Sequence, residues 1–214
     1  MGPAEKGVPA SPKVGPAAKA GVYMVQPQVP SNQRVIQIGH VGLMQDDPDY
    51  PAVDLMNYIL GGGSFSSRIT KVVRTDNGLA YSASSSFSGG ALYPGTFAAF
   101  CQTKNATVVF ASQLMLDLIE GMRAGDVSRA DLDFAKTARI EAFPATFGST
   151  SQTLMNFAQL EFNNRPRDYY DTLRSKYEKL TVADLKRVAQ KWLQPDKMVI
   201  MVAGNIDECK AGAD

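Results

Sequence analysis

Alternating hydrophobic and polar positions, or short apolar runs, predict five short strands along the chain. These segments are 21–28, 32–43, 79–87, 96–103 and 197–203, and the first two are rich in β-branched residues. Pro30 and Ser31 predict the turn between the first two segments. Glycine and proline residues separate the third segment from the fourth, which favours an antiparallel pair of strands.

Apolar residues at helical spacing predict helices in most of the remaining chain. Asp47 can cap the first helix, with Pro48 at its first position, and the glycine triplet at 61–63 ends it. A short helix follows from about Ser67. Five more helices are predicted in the second half, around 108–122, 128–143, 154–158, 169–177 and 181–192. Strands first, helices later and one closing strand predict an α+β fold, with helices packed on one face of an antiparallel sheet.

Several of these elements have recognisable end signals. Ser128 with Asp131, and Thr181 with Asp184, have the spacing of a capping box at a helix start. The dipeptide at 77–78 is Asn-Gly, which predicts a turn before the third strand.

Length and composition restrict the class of protein. The 214 residues suffice for one hydrophobic core, and we expect a flexible linker or artificial leading segment at 1–20, a single α+β domain at 21–208 and a tail at 209–214. With 22 basic and 21 acidic residues the formal charge is +1, which argues against a nucleic-acid or polybasic membrane-surface partner. No apolar run approaches the ~20 residues of a membrane span.

The scarcity of histidine excludes several kinds of chemistry. His40 is the only histidine, so the chain alone cannot form a zinc site with two or three imidazoles. In its alternating strand, His40 is expected to be a half-buried structural residue. Cys101 and Cys209 lack metal or redox spacing, and we expect the first to be buried and the second to be semi-exposed.

The segment from Asn57 to Tyr81 contains the residues with most chemical potential. Its glycine triplet suggests a phosphate cradle, but no Walker lysine follows, so a helix end with a tight turn is the competing interpretation. Arg74 could clasp a carboxylate or peptide carbonyls, or it could lie on a solvated helix face. Tyr81 could donate to an oxygen that gains charge, or it could be a core residue, since it alternates with Leu79 and Ala83.

The same segment resembles a known family. The motif N-x-x-L-G-G-G-S-F-S-S-R-I, followed by V-R-x-x-x-G-L-A-Y, is similar to the carboxy-terminal, non-zinc domain of the pitrilysin/insulinase-type zinc metallopeptidases. Mitochondrial processing peptidase and many bacterial two-domain or two-subunit proteases belong to that family. The resemblance extends over about residues 21–206, through the long helices and the closing strand.

The resemblance implies a half-module. Family members pair two similar domains around a chamber, and one of them holds zinc through an H-x-x-E-H motif. The other lends an arginine and a tyrosine to the same site, which by position would be Arg74 and Tyr81. Gly61, Gly62 and Gly63 would let an extended peptide approach the backbone closely. This chain has no H-x-x-E-H motif, so it would bind no cofactor itself, and the zinc would lie in a partner domain.

Three functions follow as hypotheses. The first is the substrate-binding, non-catalytic half of a zinc endopeptidase, which needs a zinc-bearing H-x-x-E-H domain or subunit and a peptide substrate. The second is a structural or assembly domain of the same fold, with Arg74 and Tyr81 tied into internal hydrogen bonds. The third, an independent anion-binding module, uses the glycine loop. A homodimer of the isolated chain is conceivable, and a bacterial periplasm or cytoplasm would suit the family.

Overall fold

The sheet contains five strands in the order β1-β5-β2-β4-β3. The computed structural model describes residues 18–27, 34–163 and 165–211. The strands are β1 (Gly21–Val25), β2 (Arg34–Val41), β3 (Ala80–Phe87), β4 (Thr96–Thr103) and β5 (Val199–Ala203). All neighbours pair antiparallel except β1 and β5, which run parallel. The α+β prediction is therefore confirmed, and β1 makes the sheet mixed.

The first two predicted strands do not pair with each other. Strand β5 lies between β1 and β2, so a strand from late in the chain separates two strands from its beginning. The turn predicted at 30–31 lies outside the described residues.

Seven α-helices are described. They are α1 (Tyr50–Asn57), α2 (Val108–Ala124), α3 (Arg129–Ala142), α4 (Thr150–Phe162), α5 (Tyr169–Lys179), α6 (Val182–Trp192) and α7 (Ile206–Ala211). Both predicted capping boxes are confirmed at the starts of α3 and α6. In the described part of the chain, no helix has the length and apolar character needed to cross a membrane.

The predicted start of the first helix is wrong by two residues. Helix α1 begins at Tyr50, after Asp49, and not at Pro48. The carboxylate of Asp47 accepts a hydrogen bond from the Asp49 backbone N–H at 2.8 Å, which forms a turn instead of a helix cap.

The helices cover one face of the sheet and bury its inward-facing residues. Ile36 and Ile38 of β2, and Phe97 and Ala99 of β4, point into this core and have at most 1% of their surface exposed. The alternate residues, which in β2 are Val35, Gln37, Gly39 and Val41, face away from the helices, and Val41 is half-exposed there. One sheet face therefore supplies the core and the other stays open.

Cysteine burial differs from expectation at one of the two positions. Cys101 is buried in β4, as predicted, but Cys209 is buried too. Helix α7 occupies the segment expected to be a tail and turns the Cys209 thiol inward, where its Sγ lies 3.7 Å from Oδ1 of Asn105.

Candidate functional site

Arg74 and Tyr81 lie together at the surface. Arg74 Cζ lies over the Tyr81 ring, 5.2 Å from its centroid, and the Tyr81 side chain is 79% exposed. Among the described residues, neither side chain forms a hydrogen bond or an ion pair with another. The guanidinium donors and the phenol hydroxyl therefore stay open to a ligand.

A bulge in the sheet decides where Tyr81 points. The β3–β4 register shifts between Ala80 and Ser82, so β3 has one extra residue there relative to β4. The extra residue interrupts the alternation of inward and outward side chains along β3. Ala80 and Ala83 face the core while Tyr81 faces solvent. The alternative of a core tyrosine, which rested on unbroken alternation with Ala83, is wrong for this reason.

Two π-helical segments carry the site. One, Tyr58–Gly62, continues α1, and the other, Thr70–Asp76, carries Arg74 close to its end. The predicted turn follows, with Gly78 at a φ of +60°, and leads into β3. Such π-turns are rare and occur often at functional sites.

The glycine triplet connects the first of these segments to a 3₁₀ turn at Ser64–Ser66. Gly61 is buried against β3, and a Cβ there would collide with the backbone nitrogen of Ser85. Gly63 is buried as well, and a Cβ there would press on the carbonyl oxygen of Tyr58, whereas Gly62 is exposed. A Cβ at Gly62 would also come within 2.8 Å of Asn57 Nδ2, so close packing bears on all three glycines, although only Gly62 is exposed to solvent.

Hydroxyl groups join the glycine loop (residues 61–67) to β3. Ser67 Oγ donates to the Ser64 carbonyl at 2.8 Å, and Thr70 Oγ1 donates to the Ala83 carbonyl at 2.7 Å. The two hydroxyl oxygens are 3.0 Å apart. Thr70 therefore binds an outward-pointing carbonyl of the edge strand and fixes the loop relative to Tyr81.

Phe65 was not among the residues singled out from the sequence. Its ring is 68% exposed, and Arg74 Cζ lies over it, 4.8 Å from the centroid. Ser64, just before it, has a φ of 54°, the one positive φ of a non-glycine residue in the described part of the chain. A large apolar residue inside a run of glycine and serine, outside any periodic pattern, is the signal that could have found Phe65.

Arg68 and Arg74, which both follow the glycine triplet, have different roles. Arg68 pairs with Asp126 at 3.3 Å and with Asp131 at 3.0 Å, and so attaches the segment to the start of α3. Arg74 has the aromatic rings of Phe65 and Tyr81 as neighbours. The two arginines therefore do not form a uniform anion-binding surface, which weakens the phosphate-cradle alternative.

An open groove of about 700 Å³ lies beside Tyr81. The beginning of β3 forms one side, and Gln102, Lys104 and Glu208 contribute to the rest of its lining. Leu79 and Ala106 also line it, so the groove offers both apolar and polar contacts.

His40 makes structural contacts, as expected, but with 8% of its surface exposed it is buried and not half-buried. Its Nδ1 lies 2.8 Å from the Val41 carbonyl, and its Nε2 accepts the Gln194 backbone N–H at 3.3 Å. This pattern requires a neutral imidazole with its proton on Nδ1. Burial, aided by nearby Lys197, lowers the pKa of His40 below its ordinary value. Within the described residues, no cluster of histidine, cysteine or acidic side chains could hold a metal ion.

The fold and this site define a non-catalytic domain of peptidase type. The chain matches the family model of the peptidase M16 inactive domain over residues 2–139, and it belongs to this family. The resemblance to the non-zinc domain of pitrilysin/insulinase-type peptidases is thereby confirmed. A search of curated proteins gives no match.

Solved structures agree with this assignment. A peptidase M16 inactive domain from Pseudomonas fluorescens is 32% identical, with a TM-score of 0.79 over 88% of this chain and 44% of that one. A protease from Helicobacter pylori shares the fold at 19% identity, with a TM-score of 0.79 over 87% of this chain and 44% of that one.

A third structure is similar along most of its own length. It is the inactive peptidase domain of a protein described as a zinc protease from Bordetella parapertussis, 15% identical, with a TM-score of 0.67 over 79% of this chain and 91% of that one. The present chain thus spans less than half of the first two structures and most of the third.

Proposed function

We propose that this chain is the substrate-binding, non-catalytic half of a zinc-dependent endopeptidase. Another domain or subunit, with an H-x-x-E-H motif, would hold the zinc. The observation that carries the proposal is the exposed contact between Arg74 and Tyr81, whose polar groups have no partner among the described residues.

The chemistry of the pair suits this role. Bound to the partner domain, zinc would polarise the scissile carbonyl and activate water. The guanidinium of Arg74 offers N–H donors in a fixed plane for peptide carbonyls, and the Tyr81 hydroxyl can donate to an oxygen that gains negative charge. Both groups would act from this chain, opposite the metal.

Neighbouring features support a peptide as the ligand. Gly62 is the exposed glycine of the triplet and would be the place where a substrate backbone approaches the loop, with Gly61 and Gly63 buried beside it. The groove beside Tyr81 would receive the continuing chain. The alternative, a structural domain without a binding role, predicts that Arg74 and Tyr81 are bonded internally, and the exposure of Tyr81 argues against it.

Reconstitution with a zinc-bearing partner tests the proposal. The chain is mixed with an H-x-x-E-H domain, and cleavage of fluorescein-labelled β-casein is followed. We expect no cleavage by the chain alone, and a fall in kcat of about 100-fold for Tyr81→Phe, typical of a lost oxyanion donor. Arg74→Ala should reduce kcat/KM to a similar extent.

Two matched variants serve as controls. Arg129→Ala removes an arginine whose described ion pair is with Asp133, 2.9 Å away, and Tyr93→Phe removes the hydroxyl of another exposed tyrosine. Both should keep full activity. Unchanged kinetics for Arg74→Ala and Tyr81→Phe would refute the assigned roles.

A further inference from the structure

Phe65 contacts Arg74 from the glycine loop, and we propose that it is a positioning residue of the peptide-binding site. Its ring would restrain the guanidinium of Arg74 in the orientation that meets the substrate. The inference rests on the proposed function, because it assigns Phe65 an effect only through Arg74.

The geometry of the contact supports this restraint. Arg74 Cζ lies 4.8 Å from the centroid of the Phe65 ring and 5.2 Å from that of the Tyr81 ring. A guanidinium over an aromatic face is attracted by the ring quadrupole. A mobile arginine side chain loses much rotamer freedom when it binds a ligand. A side chain that is already restrained in the free protein loses less.

The loop backbone holds the Phe65 ring in place. Ser64 adopts a φ of 54°, a conformation that non-glycine residues reach only at a cost. The hydroxyls of Ser66 and Ser67 donate to the carbonyls of Gly63 and Ser64, at 2.7 and 2.8 Å. These bonds close the turn around Phe65, so its exposed ring projects from a braced loop.

Phe65 also restricts the kind of group that Arg74 can bind. Arg74 Cζ lies over both rings, so the two rings occupy part of the space around the guanidinium. The N–H groups at the edge remain, and they suit oxygen acceptors that lie in the plane. Peptide carbonyls of an extended substrate are such acceptors.

A double-mutant cycle in the reconstituted enzyme tests the inference, with fluorescein-labelled β-casein as the substrate. Phe65→Leu should lower kcat/KM about two- to fivefold, as expected for an exposed cation–π contact, mainly through a higher KM. Phe65→Tyr keeps the ring and should retain wild-type kinetics. In the Arg74→Ala background, Phe65→Leu should have no further effect, because the residue acts through Arg74.

A spectroscopic measurement on the chain alone complements the kinetics. The ¹H–¹⁵N signal of the Arg74 Nε–H group should shift in Phe65→Leu and stay near its original position in Phe65→Tyr. Tyr93→Leu, which removes an exposed ring elsewhere, should leave both signal and kinetics unchanged.

The outcomes separate this inference from the proposed function. If Arg74→Ala lowers activity and Phe65→Leu does not, the positioning role is wrong and the proposed function stands. Equal effects of Phe65→Leu with and without Arg74 would also refute positioning, since Phe65 would then act independently. If Arg74→Ala has no effect, the proposed function fails, and the inference fails with it.

Discussion

Asn57 and Ser85 bind each other across the junction between α1 and the edge strand β3. The Ser85 hydroxyl donates to Asn57 Oδ1 at 2.7 Å, and Asn57 Nδ2 donates to the Ser85 carbonyl at 3.3 Å. Both residues are buried. The pair joins the helix that leads into the glycine loop to the strand that carries Tyr81, and so it helps to align the two halves of the site.

Asn57→Ala should therefore destabilise the fold. The substitution leaves the Ser85 hydroxyl and carbonyl without their partner, and we expect a loss of about 1–3 kcal/mol in the free energy of unfolding, measured by urea titration. Ser85→Ala should cost less than Asn57→Ala, and the double variant less than the sum of the two. Ser86→Ala, at an exposed position of the same strand, should change stability by less than about 0.5 kcal/mol. A strictly additive double variant would mean that the pair is not coupled.

Gly61→Ala tests whether close packing requires the first glycine. A Cβ at this position would meet the backbone and side chain of Ser85, so β3 or the loop must shift. Overpacking of this kind costs about 1–3 kcal/mol, measurable as a lower urea midpoint. Gly121→Ala, within α2 and with no atom nearer than 3.9 Å to the added Cβ, should be neutral or stabilising. If Gly61→Ala is as stable as the parent, close packing is not the reason for this glycine.

Asp49 should contribute stability that is lost in acid. Burial of its carboxylate raises the pKa, but hydrogen bonds from Arg187, Lys191 and Trp192 outweigh this and hold the pKa well below its usual range. The three donor atoms lie 2.7–3.0 Å from the carboxylate oxygens. A depressed carboxyl pKa gives stability that is present above the unfolded value of about 4 and is lost as the pH falls through the folded value.

We therefore expect Asp49→Asn to lower the free energy of unfolding at pH 7 by about 2 kcal/mol and to flatten its decline below pH ~4. Asp133→Asn, which breaks an exposed pair with Arg129, should do neither. Unfolding curves recorded between pH 7 and 2.5 distinguish the variants. If the free energy of unfolding of Asp49→Asn declined below pH ~4 as steeply as that of the parent, the prediction would be contradicted.

His40 should make stability depend on pH between about 7 and 5. Its lowered pKa means that the folded state binds the proton less readily than the unfolded state, so stability is full above about pH 6.5 and falls as the pH drops through the folded pKa. One group allows a slope of at most about 1.4 kcal/mol per pH unit. Because His40 is the single histidine, His40→Gln should remove this dependence. Urea titrations at pH 7 and 5 measure it, and a slope that persists in the variant would assign it to another group.

Local signals in the sequence predicted much of the fold. Ser128 with Asp131, and Thr181 with Asp184, form the expected capping boxes because a cap involves residues three apart in the chain. Helix α2 was predicted from another local signal, because its buried apolar residues recur at helical spacing. The Asn-Gly turn before β3 also depends on adjacent residues alone.

Other features could not be predicted because they depend on residues that are far apart in the sequence. Asp49 accepts hydrogen bonds from Lys191 and Trp192 of α6. These partners lie about 140 residues further along the chain, so the local signal of Asp47 and Pro48 did not reveal them. Tyr81 points to solvent because β3 bulges between Ala80 and Ser82 where it pairs with β4. The contact between Phe65 and Arg74 depends on the left-handed backbone of Ser64. A pattern of hydrophobic and polar residues does not predict this conformation.

The order of residues by itself determined the fold class, most helices, the absence of an H-x-x-E-H motif and the arginine–tyrosine motif. These are properties of composition and of neighbours along the chain, where periodicity and capping act. Only the tertiary structure decided that β5 lies between β1 and β2, that Gly61 packs on Ser85, and that Arg74 meets two exposed rings. Strand order, side-chain direction and unpaired donors depend on which remote groups come together, and the free energy of packing selects among them.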